Sequence, residues 1–505
     1  MNMCFYNCKG LNGDIVIFSN QIIDTTQCFY NTTAIKNVYI PFKSDNVNTK
    51  TFNSFTNAGY STSTRVNGAL LMDLNEALEI RDWIYENMSN GIRRLYKYIG
   101  TNTFVNVPDF RTELYVIPTS GNTSREQFKN NTNVQYVDMK NVNWIDNRMA
   151  SAFEFCNNLK NVYNINESVT NMKYSFWCCE NLSNTPKLPL VLEDMSGAFY
   201  NCQNLVNADN LPRIASNMSF CFRECWNLSY INAFPISNDM SYAFANCHEL
   251  SNITEQNYSI NCPNISHAFE NCYNLVNTPE LLKSIVDMSY AFCNCNKLTN
   301  ISNLIICNHV TTMDGTFYGC TNLRNTPVIP LSVTSMNHTF FHCFNLENSP
   351  EIPAGVTDMN RTFCECRNIN IFPTIPDSVI NMSGTFVNCK MSSSVSLPNN
   401  VENISDLYDH CSNLITAPVI PNSVTNMGYT FYWCTNLTGD IIIKSNKITN
   451  AMNCFLYTND SLLKNVYIPF KNSNGSDSAT YNAFTNAGYS ETTRVNGVLL
   501  FNRMN

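Results

Sequence analysis

One pattern returns about every 23 residues from Met149 to Leu437: a Met, a Phe four residues on, a Cys three later and a Leu three later, then Asn, Pro, Ile-Pro and Val. "MSGAFYNCQNL" from Met195, "MDGTFYGCTNLRNTPVIPLSV" from Met313 and "MNHTFFHCFNLENSPEIPAGV" from Met336 show it. The Cys column alone has thirteen members, Cys156, Cys179, Cys202, Cys225, Cys247, Cys272, Cys295, Cys320, Cys343, Cys366, Cys389, Cys411 and Cys434, spaced 22 to 25 apart without a gap. A chain of 505 residues could form three ordinary domains, but a fixed period of this length overrides that prior, because a solenoid grows by adding coils to one continuous core.

Each coil must wind once and return one layer higher, so each sequence column becomes a file of like side chains along the axis. Paired strands lie about 4.7–4.9 Å apart, so thirteen coils would span roughly 60 Å. The fold class expected is a repeat solenoid of short parallel strands and short helical turns. Phe153, Phe176, Phe199, Phe222, Phe244 and Phe269 begin an internal aromatic file, the Leu column from Leu159 a second and the Met column a third. Cysteine in its column is small, apolar in behaviour and suited to a crowded interior. Two Asn columns, one with Asn184, Asn207, Asn277 and Asn325, the other with Asn181, Asn204, Asn274 and Asn322, are expected at sharp turns, where Asn tolerates left-handed backbone. A further column, Asp194, Asp239, Asp287 and Asp358 with Asn171, Asn381 and Asn426, reads as turn-capping, with calcium binding as the functional alternative.

The two ends are twins: Gly13 to Leu71 is repeated as Gly439 to Leu500, sharing "NVYIPFK" and "FTNAGYS". Thr25, Phe29 and Thr32, and Ala451, Phe455 and Thr458, occupy the Met, Phe and Cys slots of a degenerate last coil. A terminal layer has no neighbour on one side, so both twins read as caps: a closing coil, a "VYIPF" strand, a short helix over Phe52 to Asn57 or Tyr481 to Asn486, and a final strand. Leu74, Leu78, Arg81, Tyr85, Met88, Ile92, Leu95 and Ile99 alternate by four and three, which predicts a helix of heptad spacing that lies amphipathically against the solenoid or forms two short helices broken at Ser89 to Gly91, with homo-oligomerisation through residues 74–99 as the alternative. The expected organisation is a cap module over 1–72, a helical segment over 73–100, irregular first repeats over 101–148, the main array over 149–437 and a second cap over 438–505.

A net charge of −8 without Lys or Arg runs argues against a nucleic-acid partner. No stretch reaches the eighteen apolar residues of a spanning helix, and the opening lacks the basic-then-apolar order of a signal peptide. The expectation is a virion or cell-surface location by a non-classical route, or otherwise the cytoplasm. Cys178-Cys179, Cys293/Cys295 and Cys364/Cys366 lack metal-pair spacing. His338 and His342 have the i,i+4 spacing that can hold a metal on a helix, without the adjacent Glu. No nucleophile elbow, Walker loop or dinucleotide fingerprint is present. No catalytic residue, cofactor or metal set is assigned.

The columns resemble the BspA-like leucine-rich repeats, the subclass built on Ile-Pro strands and an Ala-Phe-x-x-Cys turn. The resemblance implies a non-catalytic surface for adhesion or recognition of a protein or glycan on a cell surface. Family members occur on bacterial surfaces, in protozoa and in phages of gut bacteria, so a phage tail-associated receptor-binding component fits the asparagine-rich composition. The candidate face lies around the Pro-x-Ile-Pro strand, where Lys187, Arg213, Glu280, Val328, Glu351 and Thr374 vary between inner positions. Two other readings stay open: a structural scaffold or virion spacer assembled through the helical segment, and a carbohydrate-active enzyme with paired carboxylates.

Overall fold

The structure is a computed structural model. It describes residues 3–9, 11–32, 34–44, 47–67, 69–73, 82–87, 93–107, 112–114, 127–140, 143–209, 211–231, 233–251, 253, 259–281, 284–299, 301, 304–369, 372, 374–459 and 461–502. The chain forms two compact units, Met1–Val169 and Thr170–Asn505.

In the first unit, β1 (Asn12–Val16), β2 (Ala34–Ile40) and β3 (Leu70–Asp73) form a parallel sheet in that order, with α1 (Lys50–Asn57) between the last two. The period-2 pattern of β2 sends Val38 and Ile40 into the core and Tyr39 to the other face. Thr49 begins α1 as an N-cap, its hydroxyl accepting the Phe52 amide at 3.0 Å. The same layout closes the second unit: β15 (Gly439–Ile442), β16 (Leu463–Ile468), α2 (Ala479–Asn486) capped by Ser478, and β17 (Leu499–Asn502). Between them come β4 (Trp83–Asn87), β5 (Arg93–Tyr98), β6 (Phe104–Asn106), β7 (Thr112–Leu114), β8 (Tyr136–Asp138), β9 (Asn143–Trp144) and β10 (Asn161–Tyr163) in the first unit. The second unit adds the two-residue strands β11 (Asn207–Ala208), β12 (Tyr230–Ile231), β13 (Ser259–Ile260) and β14 (Glu280–Leu281).

The helix expected over 74–99 is not there in the described part: β4 and β5 pair antiparallel, Trp83 opposite Tyr98 and Asn87 opposite Arg93, and β5 continues into β7 and β9. Residues 74–81 and 88–92 lie outside the described residues. Aromatic residues recur in both strands, Trp83 and Tyr85 in one and Tyr96 and Tyr98 in the other, a composition that favours sheet. Leu95 and Ile99 therefore do not belong to a coil seam. Trp83 and Tyr98 are buried against the Phe128 ring at 5.2 and 5.5 Å, closing one end of the Phe128/Phe153 stack.

The second unit is the array proper. Its parallel bridges climb coil by coil through one column, Asn171 to Asp194 to Asn217 to Asp239, and on to Asn426 and Asn450. Inside, Phe176, Phe199, Phe222, Phe244, Phe269, Phe292, Phe317, Phe340, Phe363, Phe386, Tyr408, Phe431 and Phe455 stack with successive centroids 5.2 to 6.1 Å apart and planes within 16°. Met and Leu columns flank this file with no exposure. Each fully buried side chain of this kind contributes about 1.5–3 kcal/mol against an exposed one, and each layer delivers it only through its neighbours.

The coil side opposite the strands is a run of turns stitched layer to layer. Phe199 N–H donates to Cys221 O at 2.8 Å, Phe222 to Ala243, Phe244 to Ala268 and Phe269 to Ala291, each reaching the coil above. Two residues per coil take left-handed backbone so that their amides also point upward: the residue two after Met, such as Tyr242 (φ 55°), and the one before Cys, such as Asn246 (φ 64°). The left-handed backbone expected of the two Asn columns is not found, since none of their described members has positive φ, although Asn181, Asn204, Asn274 and Asn322 do lie in turns. They form side-chain ladders instead, Asn207 Nδ2 donating to Asn184 Oδ1 at 3.0 Å and Asn345 to Asn322 at 3.2 Å.

Each twin closes its own aromatic stack, Phe431/Phe455 in the second unit and Phe5/Phe29 in the first, by the same device. The amide of Phe455, which inside the array would bond the next coil's carbonyl, donates to the Tyr489 hydroxyl at 3.0 Å, while Phe484 lies over the ring. In the first unit Phe29 does the same with Tyr60 at 2.8 Å and Phe55. Each twin thus supplies the hydrogen bond and the ring that a further coil would have brought.

Candidate functional site

The column of cysteines is a structural file. Cys202 Sγ donates to Phe176 O at 3.1 Å, Cys225 to Phe199 O at 3.1 Å and Cys247 to Phe222 O at 3.2 Å, and the series continues to Cys434 on Tyr408 O. The thiol is thus a weak donor that adds a second bond to a buried carbonyl of the coil before it, one already accepting a backbone amide, a role the residues alone did not reveal. The neighbouring Thr column signals the same demand: Thr362 and Thr385 hydroxyls donate to Met336 O and Met359 O at 2.9 Å. All the cysteines are free, and burial pushes Cys411 and Cys364 up to about 12, far from a reactive thiolate.

The acidic and amide column caps turns. Asp194, Asp239, Asp287 and Asp358 each accept the amide two residues on at 2.9 Å, and Asn264 and Asn381 amides tie Asp239 and Asp358 to adjacent coils. His338 and His342 sit in the two left-handed turn positions of one coil and not on a helix. Burial lowers both below the usual histidine range. Among the described residues no group of three His, Cys, Asp or Glu is placed to hold a metal.

What the array leaves open is the outward face of its strands. Lys187, Glu280, Val328, Glu351 and Thr374 are all exposed there, each beside an inward apolar neighbour such as Leu188, Leu281, Ile329, Ile352 or Ile375. Val328 and Glu351 line one shallow recess of about 360 Å³, with Leu331, Pro350 and Pro353. Arg213 is exposed but out of register with them. The bridges on either side, Asn184 to Asn207 and Asp194 to Asn217, keep a constant offset, which puts Arg213 level with Leu190 and not with Lys187. The face ends in an apolar stripe over four adjacent layers: Val419 (46% exposed), Ile442 (41%), Tyr467 and Phe501 (38%).

In the first unit the corresponding face is covered. β6, β8 and β10 turn Phe104, Tyr136 and Tyr163 outward, and the N-terminal cap lays its own outward residues on them. Tyr39 packs 5.7 Å from Phe104 and 5.2 Å from Tyr136, and Phe18 meets Tyr163 edge-on at 5.1 Å. Asp138 in β8 is buried, and that burial raises its carboxyl above the ordinary value despite the Asn164 amide at 2.7 Å.

Stacked parallel coils, a closed apolar file and a solvent-facing strand column define a leucine-rich-repeat protein. More narrowly, the chain belongs to the BspA type leucine rich repeat family, whose repeat region matches in six copies over residues 1–64, 88–194, 191–299, 240–370 and 359–487. Among solved structures it is similar to the pneumococcal vaccine antigen PcpA, at 11% identity over 84% of this chain and 96% of that one, with a TM-score of 0.40. A leucine-rich repeat protein from Bacteroides ovatus is 16% identical over 78% of this chain and 82% of its own, at 0.38. The leucine-rich repeat protein of T. pallidum is 15% identical over 40% of this chain and 92% of its own, at 0.31. No curated protein matches the chain. No helix among the described residues is long and apolar enough to cross a membrane.

Proposed function

We propose that the chain is a non-catalytic binding protein that uses the outward strand face of its array to recognise a protein or glycan on a cell surface. One observation carries the reading. The inward columns repeat the same side chains at no exposure, while the outward column changes from Lys187 to Glu280, Val328, Glu351 and Thr374 on a constant frame. A rigid scaffold presenting a variable extended surface suits a large partner better than a small enclosed substrate. The finer form, a tail-associated host-recognition component of a phage, draws its support from the asparagine-rich composition and the family resemblance.

The test is binding of the purified full chain to glycan arrays and to intact gut-bacterial cells, alongside V328E/E351K. Saturable binding that this double variant weakens tenfold or more, with thermal unfolding unchanged, supports the reading. Absence of binding to any cell surface or polysaccharide, or binding indifferent to the double variant, refutes it.

A further inference from the structure

The twins carry one face in two conditions, and the covered copy shows what the open one is built to meet. Val16 and Tyr39 in the N-terminal cap hold the places of Ile442 and Tyr467 in the C-terminal cap, as the registers Val16↔Tyr39 and Ile442↔Tyr467 show. The first pair is packed under the outward aromatic residues of another leucine-rich-repeat sheet in the same unit. Tyr39 is 4% exposed, whereas its counterpart Tyr467 is half-buried, Ile442 is 41% exposed and Phe501, its ring tilted against Tyr467 at 5.6 Å, is 38% exposed. A strand face of this family is therefore already seen, within this chain, to bury itself against a second strand face.

We propose that the outward face of the C-terminal cap, Ile442, Tyr467 and Phe501, pairs with the same face of a second copy of this chain around a two-fold axis. The occupant is identified by charge. Along β15 the outward residues read Asp440, Ile442 and then Lys444 just beyond the strand, an acid and a base on either side of the apolar stripe, and both charged residues are exposed. At roughly 3.3 Å per residue they stand about 13 Å apart. A two-fold axis running across the strands at Ile442 reverses strand direction in the second copy. It sets each Asp440 opposite the partner's Lys444 and each Ile442, Tyr467 and Phe501 opposite itself, the self-complementarity an isologous interface requires. The N-terminal twin has Phe18 where the C-terminal one has Lys444. Phe18 is used on Tyr163 within its own unit, so the substitution removes the intramolecular ring contact and installs the charge that matches a second C-terminal cap.

Sedimentation velocity on the full chain, at concentrations from about 1 to 100 µM, tests this. A reversible monomer–dimer equilibrium is expected, abolished by F501D. D440K and K444D alone should each weaken it about tenfold or more, because each sets like charges face to face. Mixing D440K with K444D chains should restore association as a heterodimer, and the double variant D440K/K444D should dimerise like the natural chain. Circular dichroism and unfolding midpoints equal to those of the natural chain show that the cap is intact, and K444D, at an exposed site outside the strand, serves where F501D fails to fold. A chain monomeric throughout overturns the proposal. So does a dimer indifferent to F501D, or one in which mixing the two charge variants restores nothing.

Discussion

The N-terminal and C-terminal caps share sequence, strand order, helix, capping tyrosine and closing phenylalanine, yet one has its outward face buried and the other has it open. The comparison separates two roles that a single cap would confound. Closing the aromatic file belongs to the module itself and appears in both copies. Covering a strand face belongs to its surroundings, and appears only where Phe104, Tyr136 and Tyr163 offer aromatic residues to cover.

The largest effect expected is on the shared role. F29A and F455A should each cost about 3–5 kcal/mol in urea unfolding, since each removes a buried ring from the end of a stack; a silent substitution at either end would break the equivalence of the caps. Next comes the difference itself: Y39A should cost about 3 kcal/mol and Y467A less than about 1 kcal/mol under dilute, monomeric conditions, because only Tyr39 is covered. Equal losses would mean that the two faces are in the same state. Y60F and Y489F should each lose about 1–3 kcal/mol, the cost of leaving the Phe29 or Phe455 amide without its acceptor.

A smaller effect sharpens the same contrast by pH. The folded pKa of Asp138, in β8 beside Tyr136, is raised by burial. A raised carboxyl favours folding below its unfolded value and loses that contribution as pH rises through the folded value. D138N, which keeps an acceptor for Asn164, should therefore stabilise the first unit modestly at pH 7 and not at pH 3, as followed by thermal unfolding. Last, iodoacetamide should modify Cys4 and Cys8 in the native chain and the other cysteines only on unfolding, since those two alone are exposed; rapid native labelling of the Cys202 to Cys434 column would contradict its sealed state.

Much of this was legible in the residues, and the reason is geometric. Where each coil sits directly on the last, a side chain faces its own equivalent, so Phe199, Phe222 and Phe244 had to repeat and the period carried the fold. The twin sequences foretold twin strand–helix–strand modules for the same reason. What escaped depended on contacts without a period. The Leu95 and Ile99 spacing fits a heptad, but Tyr98 between them and its partner Trp83 take their places against the Phe128 ring, a tertiary contact no local spacing shows. Left-handed backbone hid because Tyr242, His267 and Arg361 tolerate it at a position where the coil above takes the amide; only Gly197, Gly315 and Gly384 in that column hinted at it. Arg213 looked aligned with Lys187 from its Pro neighbour, whereas the bridges set register from the Asn and Asp columns. The burial of Tyr39 could not be seen at all, since the twin sequence at Tyr467 is the same.

The hydroxyl of Tyr489 completes Phe455 without reference to how many coils precede it. Any coil ending in a phenylalanine amide would accept the same stopper. Length in such a chain is consequently free to drift: duplication or loss of a 23-residue unit alters how much surface is displayed while leaving the Tyr489 closure chemically unchanged.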